Sequence, residues 1–359
     1  NELCEQWKYS RKHAIKLLNG KVGCAKKNSR KKGRPFFYGE KIKIILLRVW
    51  KASEQPCGKR LAAMMALWLP HYEKSYGKLS DKIREQVKKI SPAQIDRLLA
   101  PHKVIKGRCG TKPGGILKTQ IPIRTDNWEI TQPGFFEADT VAHCGTSLAG
   151  DFIWSLTFTD ICSGWTSNRA VWNKGAHGIV EAIKCIESDL PFKILGFDSD
   201  NGSEFLNHHL INYFSNRPKK VGFTRSRPYR KNDNAYVEQK NWTHVRQLLG
   251  YDRLEDPKMI ELINEIYCEF WEPLNNFFKP CMKLIKKERD GAKIKRYHDK
   301  PLTPCDRLLQ SKDIEDEIKK DLLKKRASLN PFDLSQKLEK KLCELFTLQK
   351  AFLKNKAHL

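Results

Sequence analysis

Nothing in this 359-residue sequence pairs its cysteines. The eleven lie singly from Cys4 to Cys343, and no two have Cys-x-x-Cys spacing. With no secretory leader beside them, a disulfide framework and a structural zinc site are both disfavoured. The thiols read as reduced and mostly buried, as in an intracellular protein. No apolar run reaches the length of a membrane span. Acidic residues are also scarce: 41 Asp and Glu stand against 67 Lys and Arg, a net charge of +26. That excess points to a polyanionic partner, held by attraction to phosphates and release of counterions. A basic ribosome-associated or merely soluble protein is the plainer alternative. Hydrophobic residues, at 40%, are ordinary in number, which argues against global disorder, and the length allows two or three domains. The chain opens at Asn1 rather than Met, so further residues are expected ahead of it.

The first segment reads as the end of a helix-turn-helix. Leu3, Cys4 and Trp7 finish one helix, Ser10 caps a second from Arg11 to Leu18, and Asn19–Gly20 stops it. Ala14, Leu17 and Leu18 share one face by their spacing. Arg11, Lys12 and His13 occupy the exposed first turn, where recognition helices meet the major groove. Any short basic amphipathic hairpin would read alike. Six basic residues between Lys26 and Arg34 then form a solvated linker suited to tracking phosphates.

A second helical module follows. Ile42, Ile45, Leu46 and Val49 form one apolar stripe; Leu61, Met64, Met65 and Leu67 to Leu69 form another. Ser91–Pro92 opens its last helix. A second helix-turn-helix, a winged helix and a plain helical spacer all fit this pattern. Lys103 to Arg124, basic and rich in Gly and Pro, reads as a linker.

After it the periodicity changes. Phe135–Ala138, Phe152–Thr159 and Trp165–Val171 predict an antiparallel meander. Gly178–Asp189 predicts a helix, Phe192–Asp198 a strand and Glu204–Phe214 a helix. Val221–Arg225 predicts a short strand and Ala235–Leu249 a helix. Three adjacent strands followed by alternating helix and strand make an α/β sheet of mixed direction. Beyond Gly250 the chain reads as helical and Lys-rich, with breaks at Asn275–Pro280 and Leu302–Pro304. Leu334, Leu338, Leu342 and Leu345 mark one helix face, for the core or for a partner subunit.

Three carboxylates fall at the ends of these segments. Asp139 closes the first strand, Asp200 follows the strand through Phe197, and Glu238 begins the last helix of the series. Cleaving a phosphodiester at neutral pH requires an activated nucleophile and relief of charge on the leaving oxygen. Two hard cations about 3.5–4 Å apart supply both. Mg²⁺ takes oxygen ligands and keeps several waters, so two or three carboxylates suffice. Taken singly each acid is ordinary, and Asp-Asn-Gly by itself marks a turn. Together, in order and in so basic a chain, they read as an active site. Asp198 competes with Asp200: two positions apart on one strand, their side chains point to the same face, and periodicity does not choose. Asp200 has the rim position, directly before Asn201–Gly202.

The carrying residues are Glu137–Ala138–Asp139, Asp200–Asn201–Gly202–Ser203–Glu204–Phe205 and Asn234–Ala235–Tyr236–Val237–Glu238–Gln239–Lys240–Asn241. Through them the segment from Gly134 to about Leu249 resembles the integrase core of DDE transposases and retroviral integrases. The 37 residues between Asp200 and Glu238 are also similar to that family's gap. The resemblance implies a ribonuclease-H-like fold, with Asp139, Asp200 and Glu238 holding two Mg²⁺ (or Mn²⁺) ions for strand cleavage and strand transfer. It also favours the acid before Asn-Gly over Asp198. With basic helical modules ahead of the core, the whole chain resembles a bacterial insertion-sequence transposase. The implied partners are transposon terminal inverted repeats and target DNA, bound by a homo-oligomer in the bacterial cytoplasm at the nucleoid. One departure is clear: the His-His-Cys-Cys zinc module of retroviral integrases is missing, and the helix-turn-helix stands in its place. A decayed or domesticated DNA-binding copy and a nuclease of the same fold are the alternatives.

The expected organisation is therefore residues 1–35 for a helix-turn-helix and basic linker and 36–124 for a second DNA-binding module with its linker. Residues 125–250 are the catalytic core, and 251–359 a basic helical C-terminal region. Arg225, Arg227, Arg230 and Lys231 flank the loop before Glu238, and Lys240 follows it; they are candidates to hold DNA phosphates, against a solvated basic surface. Trp154, Trp165 and Trp172 read as core rather than base-stacking platforms, and His143 as exposed.

Overall fold

In the computed structural model, the described residues are 4, 10–19, 38–103, 130–199, 204–205, 208–218, 221–225, 235–290 and 293–357. The chain divides into two compact units, Asn1–Lys41 and Ile42–Leu359. In the first, helix α1 runs Arg11–Leu18, preceded by Ser10 in extended conformation without a side-chain capping bond. Of the predicted apolar face only Ala14 is buried; Leu17 and Leu18 are exposed. The preceding helix of the expected pair, apart from Cys4, lies outside the described residues, as does the basic linker.

Helix α2 (Glu40–Ala52) leads into the second unit, which continues with α3 (Gly58–Tyr76), α4 (Asp81–Lys89) and α5 (Pro92–Leu99). Every residue of the Ile42, Ile45, Leu46, Val49 stripe is buried, as helical spacing requires. The α2–α3 turn carries two consecutive non-glycine residues in the left-handed region, Glu54 (φ 61) and Gln55 (φ 52). At Gly58 a Cβ would come within 2.3 Å of the Pro92 carbonyl oxygen, so glycine lets α3 and α5 touch. Ser91 accepts the Gln94 amide, capping α5 with Pro92 at its first position. This module shares a core with the C-terminal region. The Trp68 indole donates to the Phe278 carbonyl at 2.9 Å and meets the Phe332 ring edge-on.

Next comes a five-stranded sheet of β1 (Phe135–Ala142), β2 (Ile153–Asp160), β3 (Thr166–Trp172), β4 (Gly196–Ser199) and β5 (Gly222–Arg225). The order across the sheet is β3-β2-β1-β4-β5; β1 is antiparallel to β2 and parallel to β4. Helices α6 (Ala176–Asp189) and α7 (His208–Ser215) make the crossovers. A three-strand meander extended by two parallel strands is the mixed sheet that the sequence predicts and the ribonuclease-H-like arrangement that the resemblance implies. The first three strands match expectation closely, although β1 runs on to Ala142.

Alternation divides the sheet into unlike faces. Phe136, Phe158 and Phe197 are fully buried on one side, with Phe136 and Phe158 stacked at 4.3 Å and Phe197 against Phe214 at 4.9 Å. The register puts Thr166, Thr159, Glu137, Asp198 and Thr224 in one row on the other side, and Asn168, Thr157 and Asp139 in the next. Over this polar face lie α8 (Ala235–Lys240), which runs on through a π-helical stretch Asn241–Arg246 to Leu249, and α9 (Met259–Glu265).

The helix begun by α9 continues through π-helical Ile266–Trp271 and Leu274–Phe278, so the break expected at Asn275–Pro280 is confined to Lys279–Pro280. Its side chains serve the edge of β3. Asn264, Glu272 and Asn276 accept the backbone N–H groups of Ala170, Asn168 and Thr166 at 2.7, 2.8 and 3.1 Å. Asn264 and Asn276 also donate to the Ala170 and Thr166 carbonyls. A second correction follows at once. A hairpin, β6 (Leu284–Asp290) and β7 (Lys293–His298), interrupts the region read as helical. Beyond it are α10 (Pro304–Gln310), α11 (Asp316–Ser328) and α12 (Pro331–Ala357). Leu334, Leu338 and Leu345 of α12 are buried against this unit's own helices, so its stripe serves the core. Among the described residues no helix is long and apolar enough to cross a membrane.

Candidate active site

Strand β1 and the 235–249 helix are tied at two points. Glu137, only 1% exposed, accepts the backbone N–H groups of Tyr236 and Val237, both at 3.1 Å. A carboxylate there satisfies two otherwise orphaned helix donors and opposes the positive end of the helix dipole. One pleat further along, half-buried Asp139 accepts the Asn241 side-chain amide at 2.6 Å through Oδ2. Its Oδ1 accepts the Thr140 N–H at 2.8 Å. Glu238 is exposed and lies one helical turn before Asn241, on the same side of the helix. The two ties therefore bring Glu238 to the neighbourhood of the strand that bears Asp139.

The third strand position is described as far as Ser199. Parallel pairing sets Glu137 beside Asp198 and Ala138 beside Ser199. Asp198 is fully buried and accepts the Thr224 hydroxyl at 2.6 Å. Asp200 and Asn201–Ser203 lie outside the described residues. Glu204 is buried, accepts the Thr140 hydroxyl at 2.9 Å and faces Lys174 at 3.5 Å. Among the described residues, Asp200 being outside them, no three His, Cys, Asp or Glu side chains are grouped to hold a metal ion. Glu137 and Glu204 lie within the motifs that carry the resemblance, but neither has a role of its own there. For Glu137 the signal was available, since it lies two positions from Asp139 on a strand and shares its face. For Glu204 there was none, because its partner Thr140 is 64 residues away.

The basic candidates are dispersed. Arg11, Lys12 and His13 are exposed on α1. Arg225 ends β5 and is only 4% exposed, unlike a solvated basic surface. Lys240 is half-buried, and desolvation lowers its pKa. Two positions past Glu238, it points about 200° around the helix from it. Arg227, Arg230 and Lys231 lie outside the described residues. His143 is not exposed, as the sequence suggested, but fully buried, with Nε2 and the Ser155 hydroxyl 2.8 Å apart. Burial, aided by the Arg246 charge, pushes its pKa down to about 3. Trp165 is buried between Phe192 and Phe277, whereas Trp154 and Trp172 are half-buried.

No protein-family model matches the chain. It is 35% identical over 309 residues to the uncharacterized protein y4rM of Sinorhizobium fredii (strain NBRC 101917 / NGR234), covering 83% of this chain and 85% of that protein. The chain belongs to the y4rM family. Among solved structures it is similar to the BIV integrase catalytic core at 16% identity and a TM-score of 0.25, over 33% of this chain and 66% of that one. It is also similar to the HTLV-2 integrase catalytic core in complex with magnesium, dimeric form. That match has 15% identity and a TM-score of 0.30, over 42% of this chain and 90% of that one. In this chain, a member of that family, the polar face of the five-stranded sheet is bound to a helix through two carboxylates, one buried and one half-buried.

Proposed function

We propose that the chain is a polynucleotidyl transferase of the DDE transposase and integrase kind, which cuts DNA ends and joins them to target DNA with divalent cations. The observation that carries this reading is the double tie of β1 to the 235–249 helix, with Asp139 and Glu238 on the tied elements. The donor set fits a hard cation because it is all oxygen: the Asp139 carboxylate, the exposed Glu238 carboxylate and Asn241 Oδ1. That last atom is buried beside Asp139 without a hydrogen-bond partner. Asp139 and Glu238 would hold Mg²⁺ or Mn²⁺, with Asp200 as the third ligand by its place after β4. Bound cations of this kind activate the attacking oxygen and relieve charge on the leaving one.

The chain's own residues then have distinct parts. Glu137 fixes the start of the helix and so the position of Glu238. Asn241 orients the Asp139 carboxylate by donating to its Oδ2. Arg11, Lys12 and His13 are assigned to transposon ends, through a helix-turn-helix in residues 1–35 and with the 36–124 module as a second contact. Arg227, Arg230 and Lys231 are assigned to phosphates near the cut; Arg225 and Lys240 are weaker candidates because they are buried or half-buried. Assembly as a homo-oligomer on DNA, and origin from a bacterial insertion sequence, complete the reading.

The test uses the full chain with labelled duplexes carrying the sequences that border its gene. Mg²⁺-dependent nicking and joining are expected, with Glu238→Gln losing both by about 10³-fold or more while end binding stays. Cutting without joining would reduce the protein to a nuclease. Binding without any cutting would leave a DNA-binding protein and refute the catalytic assignment.

A further inference from the structure

A second cluster lies around the helix from Glu238, and its members are nitrogen groups. Lys240 and His244 occupy one helix face, a turn apart. His244 meets the Trp271 ring edge-on, with centroids 5.8 Å apart. The Lys279 ammonium stands 4.4 Å from the centre of the same ring. Arg60, reaching from α3, donates through Nε to the carbonyl of Pro280 at 2.5 Å, next to Lys279. His244 and Lys279 thus meet on one indole, and the charges of Arg60 and Lys240 act on both of them.

The interior of this cluster is short of hydrogen-bond acceptors. His244, Trp271 and Lys279 are 3%, 2% and 8% exposed, whereas Arg60 and Lys240 are half-buried and form its rim. His244 Nδ1 and Trp271 Nε1 are buried without a hydrogen-bond partner. Burial pushes the Lys279 pKa down to about 7; Arg60 and Lys240 push the same way, and Glu54 opposes them. His244 is lowered by burial and then by Lys240, Lys279 and Arg60. Glu54 acts on Lys279 against several cations, and Lys240 is faced by the Cys281 thiol, Arg60 and Arg307. Buried donors and like charges gathered in this way are stable when a counter-charge accepts their bonds. His244 and Trp271 also both fall in π-helical stretches, a local geometry frequent at functional sites.

We propose that these side chains form an oxyanion site for a free phosphate- or sulfate-sized tetrahedral ion. Trp271 and Lys279 bind it from inside, and Arg60 and Lys240 close the rim. His244 contributes when its proton is on Nδ1. A free ion is chosen over a phosphodiester of DNA because a strand backbone cannot follow to groups this deeply buried. The site would clamp α3 to the 235–249 helix and to the end of the 259–278 helix. It does not rest on the proposed catalysis, since anion binding is read without metal or DNA.

The experiment measures thermal unfolding and calorimetric binding of the full chain in millimolar phosphate, sulfate or chloride at equal ionic strength. Phosphate and sulfate are expected to raise the Tm over chloride by roughly 2–4 °C. Lys279→Met is expected to lose that shift and, in chloride, to melt no lower than the parent, because it removes an amine whose charged form burial disfavours. Lys240→Met, at the half-exposed rim where folding is not at stake, should weaken anion binding about tenfold. A shift that persists in both variants would be the general salting effect of these anions and would overturn the proposal. So would a response to a short DNA duplex without one to inorganic phosphate.

Discussion

The two faces of the five-stranded sheet are buried to nearly the same degree and are built from opposite materials. On one, Phe136, Phe158 and Phe197 pack ring against ring beneath α6 and α7. On the other, Glu137, Asp139, Thr157, Thr159 and Asn168 lie beneath two helices bound to them by hydrogen bonds. The aromatic face gains from area removed from water and is indifferent to direction. The polar face gains little net stability from each bond, but every bond sets an angle. A sheet so divided can keep its fold on one side and its chemistry on the other.

Substitution should separate the two faces, and the largest effect is expected on the aromatic one. Phe197→Ala should lower unfolding free energy by about 3–5 kcal/mol, while the molecules that remain folded cleave normally. Asp139→Asn should do the reverse, abolishing cleavage with little change in the urea midpoint. Should both variants lower the midpoint equally, the division between faces fails.

A smaller effect should come from the closed end of the polar face. There His143, Ser155 and Tyr267 form a buried chain of 2.8 Å contacts. The folded-state pKa of His143 is about 3, below an unfolded value near 6.5. The unfolded chain therefore takes up the proton first, and stability present above pH 6.5 is lost as pH falls toward 3. Between pH 7 and 4.5 this amounts to about 2–3 kcal/mol. Comparing urea unfolding of the parent and His143→Gln at both pH values measures it; parallel losses in the two proteins would assign the pH dependence elsewhere.

The smallest effect sharpens the comparison within the polar face itself. Asp198 is fully buried and bonded to Thr224, so Asp198→Asn, which keeps an acceptor there, should slow single-turnover cleavage only about tenfold. A loss as complete as that of Asp139→Asn would move the metal-ligand assignment toward Asp198.

The order of strands across the sheet was not legible, because the pairing of β1 with β4 is non-local, but the first three strands were, because their patterning is local. The helix after Asn234 was legible for the same reason. The double tie was not, because Glu137 and Tyr236 are separated by 99 residues and a carboxylate in a strand does not announce which helix it will cap. Asn275–Asn276 misled for a physical reason. Asparagine ordinarily competes with helix by bonding nearby backbone, but Asn276 spends both its groups on Thr166 of β3 instead. The β6–β7 hairpin was hidden by its many lysines and arginines, which suit an exposed helix as readily as an exposed ribbon.

Asn276, with Asn264 and Glu272 of the same helix, has a consequence for how copies of this chain can meet. An outer strand with open amides invites another strand to join it, and that is a common start of unwanted polymerisation. Along β3 the amides at Thr166, Asn168 and Ala170 are already taken, by side chains that a neighbouring molecule cannot easily displace. Whatever assembly the protein forms, growth of the sheet through β3 is closed to it.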